Sequence, residues 1–129
     1  MPITIYPTTL KYKNANGTFQ SATAIKGDSG AAITVQVEGS TPTIVCEDNH
    51  MYVCGEVLTL DITLPASGIV DIVFQSGSTP TVLTITPPTG MTVEWANDFD
   101  STTLETDTLY ELNIKMVGTK CLGVVGAWN

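Results

Sequence analysis

Three cysteines and the single histidine are the most reactive side chains in this sequence of 129 residues. Cys46, His50 and Cys54 follow one another at equal intervals, and Cys121 would supply a fourth ligand for tetrahedral zinc. Structural zinc sites usually present such ligands as close pairs on tight turns, which this spacing does not provide. The alternative is that the cysteines are small buried apolar side chains, or a cross-strand pair able to oxidise. We therefore predict no metal ligand and leave the state of the three thiols open.

A serine lies in Gly27-Asp-Ser-Gly30, which resembles the loop that carries the nucleophile of trypsin-like proteases. That family needs a histidine and an aspartate ahead of the serine, whereas His50 follows it. The chain is also about half as long as the two barrels of that family require. The glycines on either side favour a connector between two parts of the chain.

Acidic residues crowd the region around Trp95, namely Glu94, Asp98, Asp100, Glu105 and Asp107. Paired carboxylates perform acid and base catalysis when their surroundings separate their pKa values, so a weak glycosidase is one alternative. A solvated surface loop explains the same acids without any chemistry. We predict that the protein is not an enzyme and binds no cofactor. A tryptophan beside acids also suits a receptor or sugar, and the candidate contacts are Tyr52, Trp95, Asp98, Phe99 and Asp100.

The overall charge limits the partners. A formal net charge of −8 and a pI near 4.2 argue against nucleic acid, whose phosphates are bound by Lys and Arg, and against anionic membranes. The N-terminus lacks the basic start and apolar core of a secretory signal, and no run approaches the ~18 apolar residues that span a bilayer. We expect synthesis in the cytoplasm, where thiols stay reduced.

Alternating apolar and polar residues dominate the sequence after residue 30. Leu58, Leu60, Ile62 and Leu64 alternate with polar residues, and Val70, Ile72 and Phe74 repeat the pattern after a short turn-forming link. This period indicates strands with one buried face, and the short link predicts an antiparallel hairpin over 58–75. Similar patterns predict hairpins over 43–54 and 109–128. The sequence predicts an all-β head over 31–129, an antiparallel β-sandwich or barrel-like fold.

The sequence predicts that residues 1–30 form a separate arm. Asn16-Gly17 is a strong hairpin-turn signal, flanked by short strand-like segments. Two strands alone are marginally stable in water, so we expect this hairpin arm to pack on another surface. Its candidate anchoring residues are Tyr6, Leu10, Tyr12, Phe19 and Ile25.

Two segments resemble small structural proteins of tailed bacteriophages. Residues 10–30 are similar to N-terminal adaptor segments of phage fibre proteins, and residues 74–85, 93–95, 104–114 and the terminal Gly-Val-Val-Gly-Ala-Trp128 resemble a β-rich C-terminal domain of fibre-like and minor structural proteins. Gly27 and Gly30 give one period of a collagen-like repeat, which requires glycine at every third position, so no long shaft follows.

The resemblance implies a virion structural protein whose arm docks on other capsid or tail proteins while the head faces outward. Capsid decoration, a head fibre and a short tail-fibre component all fit this arrangement, and a receptor- or carbohydrate-binding tail-fibre tip that contacts host glycans is the alternative. The resemblance and the apolar C-terminus also suggest a homo-oligomer, a trimer, with Val125 and Trp128 at its interface.

Overall fold

The computed structural model describes residues 33–129 and the backbone of two short strands, Lys11–Lys13 and Phe19–Ser21. These are all β, apart from one short 3-10 turn at Ala96–Asp98. The strands are β1 Lys11–Lys13, β2 Phe19–Ser21, β3 Ile33–Val37, β4 Thr43–Val45, β5 His50–Glu56, β6 Thr59–Thr63, β7 Gly68–Ser76, β8 Val82–Thr86, β9 Thr92–Trp95, β10 Thr108–Val117 and β11 Lys120–Trp128. The all-β prediction is confirmed.

Strands β3 to β11 form two sheets in the described part of the chain. The larger has six strands in the order β3-β5-β7-β10-β11-β9, and the smaller has three in the order β4-β6-β8. The larger sheet is mixed, because β7, β10 and β11 pair antiparallel while its other pairs are parallel. Both pairs of the smaller sheet are parallel.

Two of the predicted hairpins are wrong. Strands β4 and β5 lie in different sheets, and so do β6 and β7. Parallel neighbours need a crossover between them, and from β3 to β8 each crossover is a strand of the other sheet. The alternation of Leu60, Ile62, Val70 and Ile72 indicates that each strand buries one face, but it carries no information about which strand becomes the neighbour.

The C-terminal hairpin prediction is confirmed. Strands β10 and β11 pair antiparallel from Leu109 opposite Trp128 to Val117 opposite Lys120. Gly118 has φ +62° at the turn, a left-handed conformation that glycine adopts without a steric penalty. A two-residue link with such a glycine fixes the register, which places alternate residues of β11 on opposite faces of the sheet.

Side chains from both sheets meet in one hydrophobic core. The fully buried Leu60 and Ile62 come from the smaller sheet, and Ile72, Phe74 and Leu112 from the larger one. The rings of Phe74 and Tyr110 stack with centroids 5.4 Å apart. Buried polar groups are also satisfied, since the Thr81 hydroxyl donates to the Val57 carbonyl over 2.7 Å. The core therefore holds the two sheets together.

In the arm, β1 and β2 pair antiparallel, with Tyr12 opposite Gln20. The Asn16-Gly17 turn, the connector Gly27-Asp-Ser-Gly30 and the anchoring candidates Tyr6, Leu10 and Ile25 lie outside the described residues. The hairpin arm and its boundary with the head stay predictions. Within the described residues, no helix has the length and apolar character needed to cross a membrane.

Candidate functional site

The three thiols are buried parts of the core. Cys46 follows β4, Cys54 lies in β5 and Cys121 in β11, and none forms a disulfide. Burial raises the pKa of Cys46 to about 12, helped by the nearby Cys54, and that of Cys54 to about 11. Burial also raises the pKa of Cys121. A thiol is nucleophilic as the thiolate, so these side chains act as apolar packing groups.

The hypothetical zinc ligands do not come together. Strand β11, which carries Cys121, is separated from β5 by β7 and β10, a distance of about 14 Å at the usual strand spacing. The His50 ring places Nδ1 2.9 Å from the Asp48 carbonyl oxygen and stacks on Tyr52. Among the residues described, no three His, Cys, Asp or Glu side chains are grouped as metal ligands.

Tyr52 lies apart from the rest of the predicted glycan surface. It is 5% exposed, and its hydroxyl accepts a 2.8 Å hydrogen bond from the Glu47 backbone N–H. Burial raises the pKa of this phenol. Its strand, β5, is separated from Trp95 in β9 by three strands, about 19 Å in all. Tyr52 therefore cannot share a binding surface with Trp95.

Trp95 and Phe99 pack on the inner face of the larger sheet. The two rings meet edge to face with centroids 5.2 Å apart, and Phe99 is 6.4 Å from the Tyr110 ring. The Trp95 indole lies on Gly123, where an added Cβ would come within 2.4 Å of the ring. Both side chains are half-buried against the core, so they leave little flat aromatic surface for a sugar.

Asp98 and Asp100 remain on the surface, in a turn that they help to build. Asn97 and Asp98 both have positive φ, a conformation that Asn and Asp tolerate better than most residues. The Asp100 carboxylate accepts hydrogen bonds from the Thr102 hydroxyl at 2.6 Å and the Thr102 backbone N–H at 2.9 Å. These bonds lower the pKa of Asp100, which is opposite to what a catalytic general acid requires.

The other loop acids are also on the surface. Glu94 forms an ion pair with Lys120, and the Glu105 carboxylate accepts a 3.3 Å hydrogen bond from the Asn129 side chain. Next to this loop, residues 80–83 and 101–104 line an open groove of about 450 Å³. The groove is rich in Ser and Thr and runs beside β8, an edge strand of the smaller sheet.

The outer face of the six-stranded sheet is the feature that the sequence analysis missed. Six exposed large apolar side chains lie on it, out of ten in the range 33–129. The strand registers place them on this face, and they are Ile69, Leu109, Val117, Leu122, Val124 and Trp128. Exposed apolar side chains grouped on one surface often mark interaction sites, which makes this outer face the strongest candidate for an interaction surface.

The two predicted oligomer-interface residues lie on opposite faces. Val125 is half-buried and packs against the core, so it is not available to a partner. Trp128 is 55% exposed, and its indole lies along the outer face over Gly126, where an added Cβ would come within 2.7 Å of the ring. The sequence did contain a signal for the outer face. In Cys121-Leu-Gly-Val-Val125 neither the odd nor the even positions are polar, so a strand here has no polar face.

The remaining anchoring candidates, Tyr12 and Phe19, lie in β1 and β2, and the structure describes only their backbone. Comparison of the chain with protein families, with curated proteins and with solved structures returns no match. Function must therefore be inferred from the surfaces just described.

Proposed function

We propose that this chain is a non-enzymatic structural protein of a bacteriophage virion. Its arm docks on another capsid or tail protein, and its head faces outward, as capsid decoration, a head fibre or a short tail-fibre component. The phage assignment rests on the resemblance of residues 10–30 and of the C-terminal segments. The observation that carries the assembly role is the contrast between the arm and the head.

The arm and the head carry opposite charge. Residues 1–30 contain three lysines and one aspartate, a formal charge of +2, which leaves −10 for residues 31–129 out of the total of −8. Opposite charge speeds association and like charge opposes it. The arm therefore suits an acidic surface on the particle, whereas the net-acidic head does not.

The arm also needs an apolar partner. Its anchoring candidates are Tyr6, Leu10, Tyr12, Phe19 and Ile25, too few for a core of its own, and an isolated hairpin is marginal in water. Added strands commonly obtain affinity from main-chain hydrogen bonds and specificity from pockets for alternate side chains. A docked arm would gain affinity and specificity in this way.

The surroundings of the reactive side chains support a role without catalysis. Within residues 33–129, the thiols are buried and protonated at neutral pH. The Asp100 carboxylate accepts a hydrogen bond from the Thr102 backbone N–H within its own turn, and Glu94 forms an ion pair with Lys120. Zinc binding and glycoside hydrolysis, the alternatives considered from the sequence, gain no support from the geometry of these groups within the described residues.

Binding to particles tests the proposal. Full-length protein and a Tyr12→Ser, Phe19→Ser double variant are mixed with tailed phage particles grown from the genome that encodes the chain, and the bound fraction is measured after gradient centrifugation. We expect the wild type to bind and the double variant to lose most binding. A Val45→Ser variant, altered on the smaller sheet, is the control. Absence of the chain from purified virions, judged by mass spectrometry, would overturn the proposal.

A second candidate is a carbohydrate-binding tip that contacts the host surface. The observation in its favour is the Ser- and Thr-rich groove of about 450 Å³ beside the loop that carries Asp98 and Asp100. Glycan-array binding that falls in Asp98→Asn and Thr103→Val variants would support it. These surface changes are better probes than Trp95→Ala, because Trp95 packs on Phe99 and Gly123. An unchanged array profile would reject it.

A further inference from the structure

We propose that the outer face of the six-stranded sheet pairs with the same face of a second copy of this chain. The inference needs neither the arm nor a virion, so it holds or fails independently of the proposed function. The inference is based on the fact that one surface carries both the exposed apolar side chains and the lysines of the head.

Exposed apolar side chains lie along β10 and β11 on this surface. On β11, Leu122, Val124 and Trp128 are 36%, 55% and 55% exposed, and Leu109 lies directly opposite Trp128 on β10. Gly126 has no side chain, so the indole comes close to the strand backbone, on the same face as Val124. Burying these groups against a partner would remove them from water, which is the main favourable term in most protein association.

The outer face has an area of the same order as one side of a specific dimer interface. Strands β7, β10 and β11 lie side by side and have nine or ten residues each, which gives a face about 14 Å wide and about 30 Å long at ordinary strand spacing and rise. The four-residue β9 adds a shorter strip at its edge. Its projected area is roughly 500 Å² before the side chains that stand out from it are counted, compared with the ~800 Å² that one partner contributes to a standard interface.

Charge selects a second copy as the occupant. The head holds two lysines, Lys115 and Lys120, and both lie on the outer face, as the registers with Leu122 and Val117 show. Asp71, Glu94 and Glu111 share the face with them. On the rest of the described head there is no lysine or arginine, whereas aspartates and glutamates are present, so two heads meeting elsewhere would place acid against acid.

A face that carries both positive and negative side chains is able to be complementary to the same face of a second copy. In a two-fold pairing each residue contact occurs twice, so a lysine of one copy that meets a carboxylate of the other contributes two such contacts. A shallow groove of about 320 Å³ along Leu122 and Val124, bordered by Glu94, Asn113 and Lys115, gives this surface the relief to receive apolar side chains of the second copy.

Sedimentation of the full-length chain tests the pairing. We expect the wild type to form dimers at tens of micromolar, and Val124→Glu to raise the dissociation constant at least about tenfold, a loss of about 1.4 kcal/mol. Val45→Glu is the matched control, because Val45 is 71% exposed on the smaller sheet. It should leave the dimer unchanged, with thermal unfolding confirming that both variants fold.

A second variant tests the charge argument. Lys115→Glu leaves the apolar side chains in place but puts a carboxylate between Ile69 and Leu122, so we expect the dissociation constant to rise by about tenfold as well. Three results would each overturn the pairing: a wild type that is monomeric at about 100 µM, a trimer, or equal weakening by Val45→Glu and Val124→Glu.

Discussion

Strand β11 carries two tryptophan–glycine contacts, one on each face of the sheet, and they differ in what surrounds them. On the inner face Gly123 is buried beneath Trp95, whose ring is also held by Phe99. On the outer face Gly126 lies under Trp128, which is 55% exposed. The inner indole is part of the core that holds the sheets together, whereas the outer indole has solvent where a partner would be. The inner tryptophan–glycine contact is therefore part of the core, and the outer one lies on the surface for which we propose pairing.

Leucine truncation should show the largest difference between the faces. Leu112 of β10 is fully buried and Leu109, three residues before it, is 37% exposed. We expect Leu112→Ala to lower the free energy of unfolding by about 3 kcal/mol, within the usual range for core leucines, and Leu109→Ala by less than about 1 kcal/mol. Urea denaturation at protein concentrations below the dimer range measures both. Equal losses would mean that the outer face is covered within the monomer.

Adding a methyl group under each indole should give the next largest difference. In Gly123→Ala the new Cβ meets a ring fixed by Phe99, so we expect a loss of about 2 kcal/mol, as for other overpacked sites. In Gly126→Ala the ring is free to move outward, and the loss should stay below about 0.5 kcal/mol. Thermal and urea unfolding of the two variants provide the comparison. A costlier Gly126→Ala would show that Trp128 is held in place.

The buried thiols should make the free energy of unfolding depend on pH, and this dependence arises from the core and not from the outer face. Unfolded cysteines ionise near their ordinary pKa of 9.0, whereas Cys54 and Cys46 in the fold hold their protons to about pH 11 and about 12. The unfolded state therefore releases protons first, so their contribution is intact below pH 9 and is lost as the pH rises toward 11–12. Denaturation at several alkaline pH values should show this slope, reduced in a Cys46→Ala, Cys54→Ala variant. A slope unchanged in that variant would exclude the thiols as its source.

The smallest expected effect is optical. Acrylamide should quench Trp128, measured in a Trp95→Phe variant, more strongly than Trp95, measured in a Trp128→Phe variant, because Trp128 is the more exposed ring. The difference should shrink at concentrations where the outer faces pair. If both rings are quenched equally in dilute solution, the contrast between the two faces is lost.

Part of this structure was accessible from residue pattern alone. The alternation of Leu60 and Ile62, and of Val70, Ile72 and Phe74, predicted strands and buried faces, because side chains in a strand point alternately to its two sides. The turn at Gly118 predicted the β10–β11 hairpin, since a tight link fixes the register of its own strands. The sequence left two alternatives for the cysteines, small buried apolar side chains or a cross-strand pair able to oxidise. Their spacing did not decide between these two.

Tertiary structure alone decided the neighbours. Strand pairing is a contact between distant residues, so the short links after β4 and β6 were compatible with a hairpin or with a change of sheet. The order of the strands separated Tyr52 from Trp95 by three strands. The pairing of β10 with β11 placed Val125 on the inner face and Val124 on the outer face. Strand pairing also gathered Ile69, Leu109 and Val124, from three strands, onto one outer face. A linear sequence specifies which side chains alternate, but only the folded sheet determines which of them become one surface.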